Sequence, residues 1–244
     1  MGKTDLNIVT LRRVRYSDRH CIVTAWSREL GRVSLLVADG SGRAAARARA
    51  LTTPPGLLEC VADVRPGRDI FPVSQLMPLS PLTSVRSNPL KGMVAMFLAE
   101  VMGAVMVGSQ PDAAVFDYIS LSLQLLDDLG DDAALANFHL CFLYQLGRFL
   151  GVEPDVSTWK TGRVLDMRDG VFRLTPPPHQ DFLEPDEARA AAMMARMTFA
   201  NMGKWRFTRA VRNRALDVML RYLAIHLSPG LDRMHSLDVL RSLL

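Results

Sequence analysis

Arg43, Arg47 and Arg49 stand among alanines and glycines in the stretch ELGRVSLLVADGSGRAAARARA, residues 29–50. Guanidinium groups are permanently charged, planar and able to hold a phosphate or carboxylate through paired N–H donors, so this density points to anion binding. A second set, Arg206, Arg209 and Arg212 in MGKWRFTRAVRNRALDVMLRYL, recurs every three residues beside Trp205 and Phe207. That spacing predicts one stripe of a helix. Covalent chemistry finds no equivalent footing. The chain has no GxSxG elbow, GxxxxGK[ST] loop, GxGxxG or HExxH pattern, the common signatures of hydrolases, phosphate loops, dinucleotide sites and zinc proteases. The carboxylate pairs Asp127-Asp128 and Asp131-Asp132 flank an expected helix–helix turn and read as capping and helix-end charges. Cys21, Cys60 and Cys141 are widely spaced among apolar neighbours, and His20, His139, His179, His226 and His235 form no HxxxH pair, so neither a disulfide framework nor a metal centre is expected. No catalytic residue and no cofactor is assigned; binding is the expected class.

The charge is arranged in blocks. Residues 1–80 carry twelve Lys or Arg against seven Asp or Glu, residues 88–155 two against nine, and residues 196–241 nine against three. The basic blocks suit phosphate backbones or acidic peptides, with a solvated arginine-rich surface as the plain alternative. Apolar runs such as MVAMFLAEVMGAVMVG at 93–108 are shorter than the ~20 residues of a bilayer span. The N-terminal MGKTDLNIVTLRRVRYSD lacks the unbroken apolar segment of a signal peptide. A cytoplasmic chain without membrane contact is the expectation.

The elements that must position these arginines change character near residue 80. Before it, NIVTLRRVRY, HCIVTAWS, RVSLLVA, LLECVADVR and IFPVSQLMPL are short, β-branched and alternating, separated by turn signals. They predict five strands in ~80 residues, an antiparallel sheet that hides its edges by closing on itself. A five-stranded oligonucleotide-binding barrel, the OB-fold, is the leading architecture, with residues 38–56 as a long loop between strands three and four. After the connector from Pro78 to Pro89 the pattern turns helical: Asn88 and Pro89 open one helix, Gly130 closes a second and Gly151 a third, as caps of those types do. The third leaves almost no polar face apart from His139, Gln145 and Arg148, and so belongs in the centre of a bundle. Residues 152–184 are irregular, with a hairpin around Asp169-Gly170, and helices return at 186–198, about 207–227 and 236–244. The expected class is α+β: an OB-fold domain over 1–80 and a helical domain over 81–244 that carries the hairpin as an insertion.

In order along the chain, YSDRHCIVTAWSRELGRVSLLV, LLECVADVRPGRDI, LSPLTSVRSNPLKGMVAMFLAEVM, LQLLDD, NFHLCFLYQLGRFLGVEPD, RALDVMLRYLAIHL and HSLDVLRSLL resemble the bacterial recombination-repair mediator family RecO. The resemblance implies an N-terminal OB-fold, a helical domain and a non-enzymatic role in homologous-recombination repair, at the nucleoid. It also implies binding of single- and double-stranded DNA, annealing of complementary strands, contact with the acidic C-terminal tail of single-strand DNA-binding protein (SSB), and partnership with RecR in loading recombinase. Two departures stand out. Many relatives carry a four-cysteine zinc module where residues 152–184 have no cysteine, so zinc is not expected. Relatives also tend toward KGARSK-like sequence after the third strand, whereas this chain reads ADGSGRAAARA, with Asp39 near the usual lysine and the basic character moved outward.

On this reading DNA would meet Arg12, Arg13, Arg15 and Arg32 from the sheet and Arg43, Arg47 and Arg49 from the 38–50 loop. An OB barrel that binds single strands without sequence preference needs such a groove and flat side chains for stacking; Tyr16, beside a turn, is the better placed stacker and Trp26 fits a core. The alternative for the loop is a helical or disordered surface segment. The peptide tail would want an apolar slot rimmed by arginines, drawn from Gln145, Arg148, Arg206, Arg209 and Arg212. Positions before FHL can be basic in relatives and are Ala136 and Asn137 here. The competing reading of the whole chain is a helical adaptor whose OB module does not touch DNA.

Overall fold

The computed structural model describes residues 2–108, 110–231 and 234–243, which divide after Asp128 into two compact units. The first is built on five strands, β1 (Lys3–Arg15), β2 (His20–Ser27), β3 (Gly31–Ala38), β4 (Leu57–Asp63) and β5 (Ile70–Ser80). They close into a barrel in the order β1-β2-β3-β5-β4, the OB arrangement. One pair, β3 with β5, is parallel, which corrects the all-antiparallel expectation. An odd number of strands cannot form a ring with every neighbour antiparallel, so one parallel pair is obligatory. Alternation fills the interior: Val33, Leu35 and Val37 of β3 face Cys21, Val23 and Ala25 of β2 in the buried core.

The segment expected as a loop is a helix, α1 (Arg43–Thr52). Alanine and arginine are both strong helix formers, and RAAARARALT contains no β-branched residue before its last position. Ala48 and Leu51 pack against the barrel core, so the burial that stabilises the helix comes from one narrow stripe. Three helices complete this unit: α2 (Thr83–Ser87), α3 (Pro89–Val105) and α4 (Ala113–Asp128). Asn88 caps α3 as its type predicts, accepting from the backbone N–H groups of Leu90 and Lys91. Asp127 works as a capping carboxylate: its Oδ1 accepts from the Val85 N–H at 2.7 Å, and its carbonyl accepts from the buried Lys91 ammonium at 2.7 Å.

The second unit holds α5 (Asp132–Phe149), a small sheet of β6 (Val164–Asp166), β7 (Val171–Arg173) and β8 (Phe182–Leu183), then α6 (Pro185–Met194), α7 (Arg209–His226) and α8 (Leu237–Leu243). The hairpin joins β6 to β7 through four residues, with Gly170 left-handed at φ 68°, and β8 adds a third strand beside β6. Its centre is the buried Asp166 carboxylate, which accepts from the backbone N–H groups of Arg168 and Asp169 and pairs with Arg173 at 3.0 Å. His179 lies 3.4 Å from the same carboxylate. Among the described residues no group of three or more His, Cys, Asp or Glu is placed to hold a metal ion.

α5 is buried along most of its length, and His139 lies within it at 1 % exposure. Burial, reinforced by the charge of Arg212, pulls its imidazole down to about 3. The unfolded chain takes up a proton near pH 6.5 that the folded chain refuses until about pH 3, so this group's stabilising effect is complete above 6.5 and is lost as pH falls through that window. Urea unfolding should show about 2 kcal/mol lost to this group between pH 7 and pH 5, and a His139→Leu variant should have a visibly flatter pH dependence. Parallel pH profiles for the two proteins would refute the assignment.

Candidate nucleic-acid interface and peptide groove

In the barrel unit, strand register decides which arginines face solvent. A register shift between Thr10 and Arg12 leaves Arg12 opposite Thr24, Val14 opposite Ile22, and the Tyr16 N–H bonded to the His20 carbonyl. Continuing across β3, these rows meet Ser34, Leu36 and Ala38. The outer face of β1, β2 and β3 is therefore a shallow surface with Val14 at 44 % and Tyr16 at 63 % exposure, edged by Arg12. Directly paired residues share a face, so Arg13, opposite Val23, and Arg15, opposite Cys21, belong to the inward-facing rows. At the end of the strand they turn to carboxylates instead of the outer face: Arg13 to Asp39, and Arg15 to Asp18 at 2.7 Å.

Asp39 holds a second arginine as well. Arg49 of α1 donates to it at 2.7 Å and to the Gly40 carbonyl at 3.2 Å. Burial opposes ionisation of Asp39, but the hydrogen bonds from Arg49 and Arg13 prevail and hold its carboxyl below the usual range. Arg32 is withdrawn more completely. It donates to the carbonyls of Gly103 and Met106 at the C-terminal end of α3, at 2.9 and 3.4 Å, and burial lowers its pKa. Neither it nor Trp26, 1 % exposed in the core, belongs to a ligand surface. Arg43 and Arg47 differ: both are exposed, one helical turn apart, and neither makes an ion pair among the described residues. Between them and β5 runs a groove of about 610 Å³ with no carboxylate among its lining residues. The first turn of α1 carries no acidic side chain either, so the field along this edge is positive.

The second unit corrects the arginine stripe. α7 begins at Arg209 because Thr208 caps it, its hydroxyl accepting from the Val211 N–H at 3.3 Å. Arg206 therefore lies before the helix. Arg212 is buried, donating to Asn137 Oδ1 at 3.3 Å and to the Phe207 carbonyl at 3.2 Å. Asn137, also buried, donates in turn to the carbonyls of Met202 and Trp205 at 3.0 and 2.8 Å. This pair fixes the turn that presents Trp205 and Phe207, whose rings lie 5.7 Å apart.

Those two rings help to line an apolar groove of about 420 Å³, with Tyr144, Met193, Val211 and Tyr222 among its other walls. Burial pushes both tyrosine hydroxyls up to about 12, so they stay neutral at physiological pH. Charged groups at the groove come mostly in pairs. Arg148 meets Glu153 at 2.6 Å and Gln145 at 3.3 Å, and Arg214 meets Glu187 at 2.6 Å. Arg206 and Arg209, both exposed, make no ion pair among the described residues. Of the expected peptide residues, these two flank the groove-lining Trp205, Phe207 and Ala210 in sequence. Gln145, which also donates to the Met197 carbonyl, and Arg148 are engaged within the fold. The three cysteines are buried, and burial pushes Cys60 and Cys141 up to about 12, where thiols are unreactive.

Residues 86–235 match the family described as Recombination protein O C terminal. The chain is 33 % identical over 235 residues to the DNA repair protein RecO of Phocaeicola vulgatus, with 96 % of each chain covered. Against the DNA repair proteins RecO of Azobacteroides pseudotrichonymphae and Bacteroides fragilis it is 31 and 32 % identical, again over 96 % of each chain.

The burial of Arg212 yields a direct test. Arg212→Ala should destabilise the fold by about 2 kcal/mol, because it leaves buried acceptors on Asn137 and Phe207 without their donor. Arg209→Ala should stay within about 0.5 kcal/mol of wild type, as exposed substitutions do. Chemical denaturation of both variants checks this, and equal stabilities would place Arg212 at the surface after all.

Proposed function

The chain belongs to the RecO family, and from that premise we propose that it is a non-enzymatic DNA-repair mediator that binds single- and double-stranded DNA through the barrel unit. The same reading has it anneal complementary strands, capture the acidic C-terminal tail of SSB through the helical unit, and work with RecR to load recombinase in the cytoplasm at the nucleoid. The observation that carries the DNA reading is that Arg12, Arg43 and Arg47 make no ion pair among the described residues, on a barrel unit that also exposes Tyr16. Arginines already neutralised by Asp39 or folded under α3 contribute little to a phosphate contact, whereas these are displayed on the barrel and on α1. No sequence-reading device is needed: a positive edge and a stacking ring bind single strands of any sequence.

Binding of single-stranded DNA should be strongly salt-dependent, with a log K against log salt slope of roughly −3 for about four phosphates. The double variant Arg43→Ala/Arg47→Ala should flatten the slope to about −1.5, while Arg49→Ala, which removes a group already paired, should change it far less. Fluorescence anisotropy over a salt series measures all three. A flat response in the wild type would remove the DNA reading and favour an adaptor.

For the SSB tail, support comes from an apolar groove large enough for an aromatic side chain, with Arg206 and Arg209 next to the residues that line it. An acidic peptide needs a few cations beside an apolar slot, whereas DNA draws on the barrel. Charge reversal of Arg206 and Arg209 together should weaken a tail peptide at least five-fold, with single-stranded DNA affinity within two-fold of wild type. Equal losses for both ligands would instead indicate one shared surface.

A further inference from the structure

The groove between α1 and β5 has a composition that phosphate contact alone does not require. Arg43, Ala44, Arg47, Ala48 and Leu51 line it from α1 and Val73 to Leu76 from β5; Ala48, Leu51, Val73 and Leu76 pack on the barrel core, while Ala44, Ser74 and Gln75 are exposed. At about 610 Å³ it lies within the ~300–1,000 Å³ of clefts that hold small ligands. Charge excludes most occupants. With two guanidinium groups that make no ion pair among the described residues and no carboxylate in the lining, the groove suits an anion, and its apolar residues beside the polar Ser74 and Gln75 suit a flat heteroaromatic ring more than a bare phosphate.

We propose that this groove receives unpaired bases of a single strand while Arg43 and Arg47 hold the adjoining phosphates. The proposal rests on the reading that the barrel unit binds DNA, and it gives that reading a means of distinguishing strands. Phosphates are accessible on single and double strands alike, so the two arginines serve either. A base in a duplex is stacked and paired, and cannot lay its face on the apolar residues between α1 and β5 without being extruded, which costs a few kcal/mol. A single strand offers bases whose faces and edges are free, to lie against Ala44, Leu76 and Val73 and meet the Gln75 amide. The exposed Tyr16 on β1 can stack a terminal or unpaired base. The groove is thus the part of the barrel whose shape rejects paired bases.

Filling the groove tests this without touching a charge. Ala44 is an exposed position of α1, where leucine is nearly as good a helix former as alanine, so Ala44→Leu should fold with an unchanged melting temperature. Its affinity for a fluorescein-labelled oligo(dT), measured with the full chain, should fall roughly ten-fold, the scale of losing one base-sized apolar contact. Affinity for a blunt hairpin duplex should stay within two-fold, and Ala46→Leu, an exposed position of α1 outside the groove, should match wild type on both probes. Arg43→Ala/Arg47→Ala should weaken both probes. The proposal is overturned if Ala44→Leu weakens both probes equally, or leaves oligo(dT) unchanged, as it would if the groove took an acidic peptide. Wild-type protein that binds neither probe would instead defeat the underlying DNA reading.

Discussion

One carboxylate organises the surface of the barrel unit. Asp39, 11 % exposed, holds Arg13 from β1 and Arg49 from α1 at the same time. A single acid between two guanidinium groups, partly screened from water, gains more than an exposed pair does, and both arginines favour its ionised form. The geometric result is a tie between the end of a strand and the later part of α1. With Ala48 and Leu51 packed on the barrel core, the helix has one orientation available. That orientation places Arg43 and Arg47 along the groove with β5, and keeps Arg49 away from it. Weakening the clamp would release two cations and blur the position of the helix that carries two more.

The same distinction between tied and free arginines runs through the second unit. Arg212 and Asn137 bury a charged hydrogen-bonded pair that fixes the turn from Met202 to Trp205. Burial of a guanidinium is costly unless its donors are satisfied, and here one side-chain oxygen and one backbone carbonyl satisfy part of them. What this secures is the placement of Trp205 and Phe207 at an apolar groove. Arg209 stays outside, where its charge adds to the effect of burial in lowering the Arg212 pKa. Two neighbours on one helix thus have separate roles, one structural and one displayed.

The barrel was readable because its signals are local. Alternation in RVSLLVA and HCIVTAWS and the turns between them specify strands, and an odd count in a closed ring then requires a parallel pair. Asn88, Pro89 and Gly151 marked helix ends through backbone chemistry that does not depend on distant residues. α1 was written in its alanines and arginines as helix propensity, but its apolar stripe is so narrow that periodicity could not separate it from a loop. The arginines were the hardest to place. Nothing in the ELGRVS stretch distinguishes Arg32, bonded to carbonyls seventy-odd residues away, from Arg12 on the open sheet. The partners of Arg212 are equally non-local: Asn137 lies 75 residues earlier. The paired acids Glu153 and Glu187 carried no signal at all until the groove they line was formed.

Against the lysine-rich sequence that the family resemblance sets beside this segment, an acid at position 39 looks like a loss of binding charge. The geometry gives it another meaning. Asp39 neutralises arginines that would otherwise crowd one end of the barrel, and the charge that makes no ion pair among the described residues includes Arg43 and Arg47, along the groove, and Arg12, on the same face of β1 as the exposed Tyr16. Under the proposed reading, grip comes from a few phosphate contacts and discrimination comes from shape. A surface of that kind holds nucleic acid at moderate salt and gives it up as salt rises or as a competing polyanion arrives, because each released arginine returns little more than a counterion's worth of free energy. Such reversibility is what a protein needs if it is to bring strands together and then yield them to another.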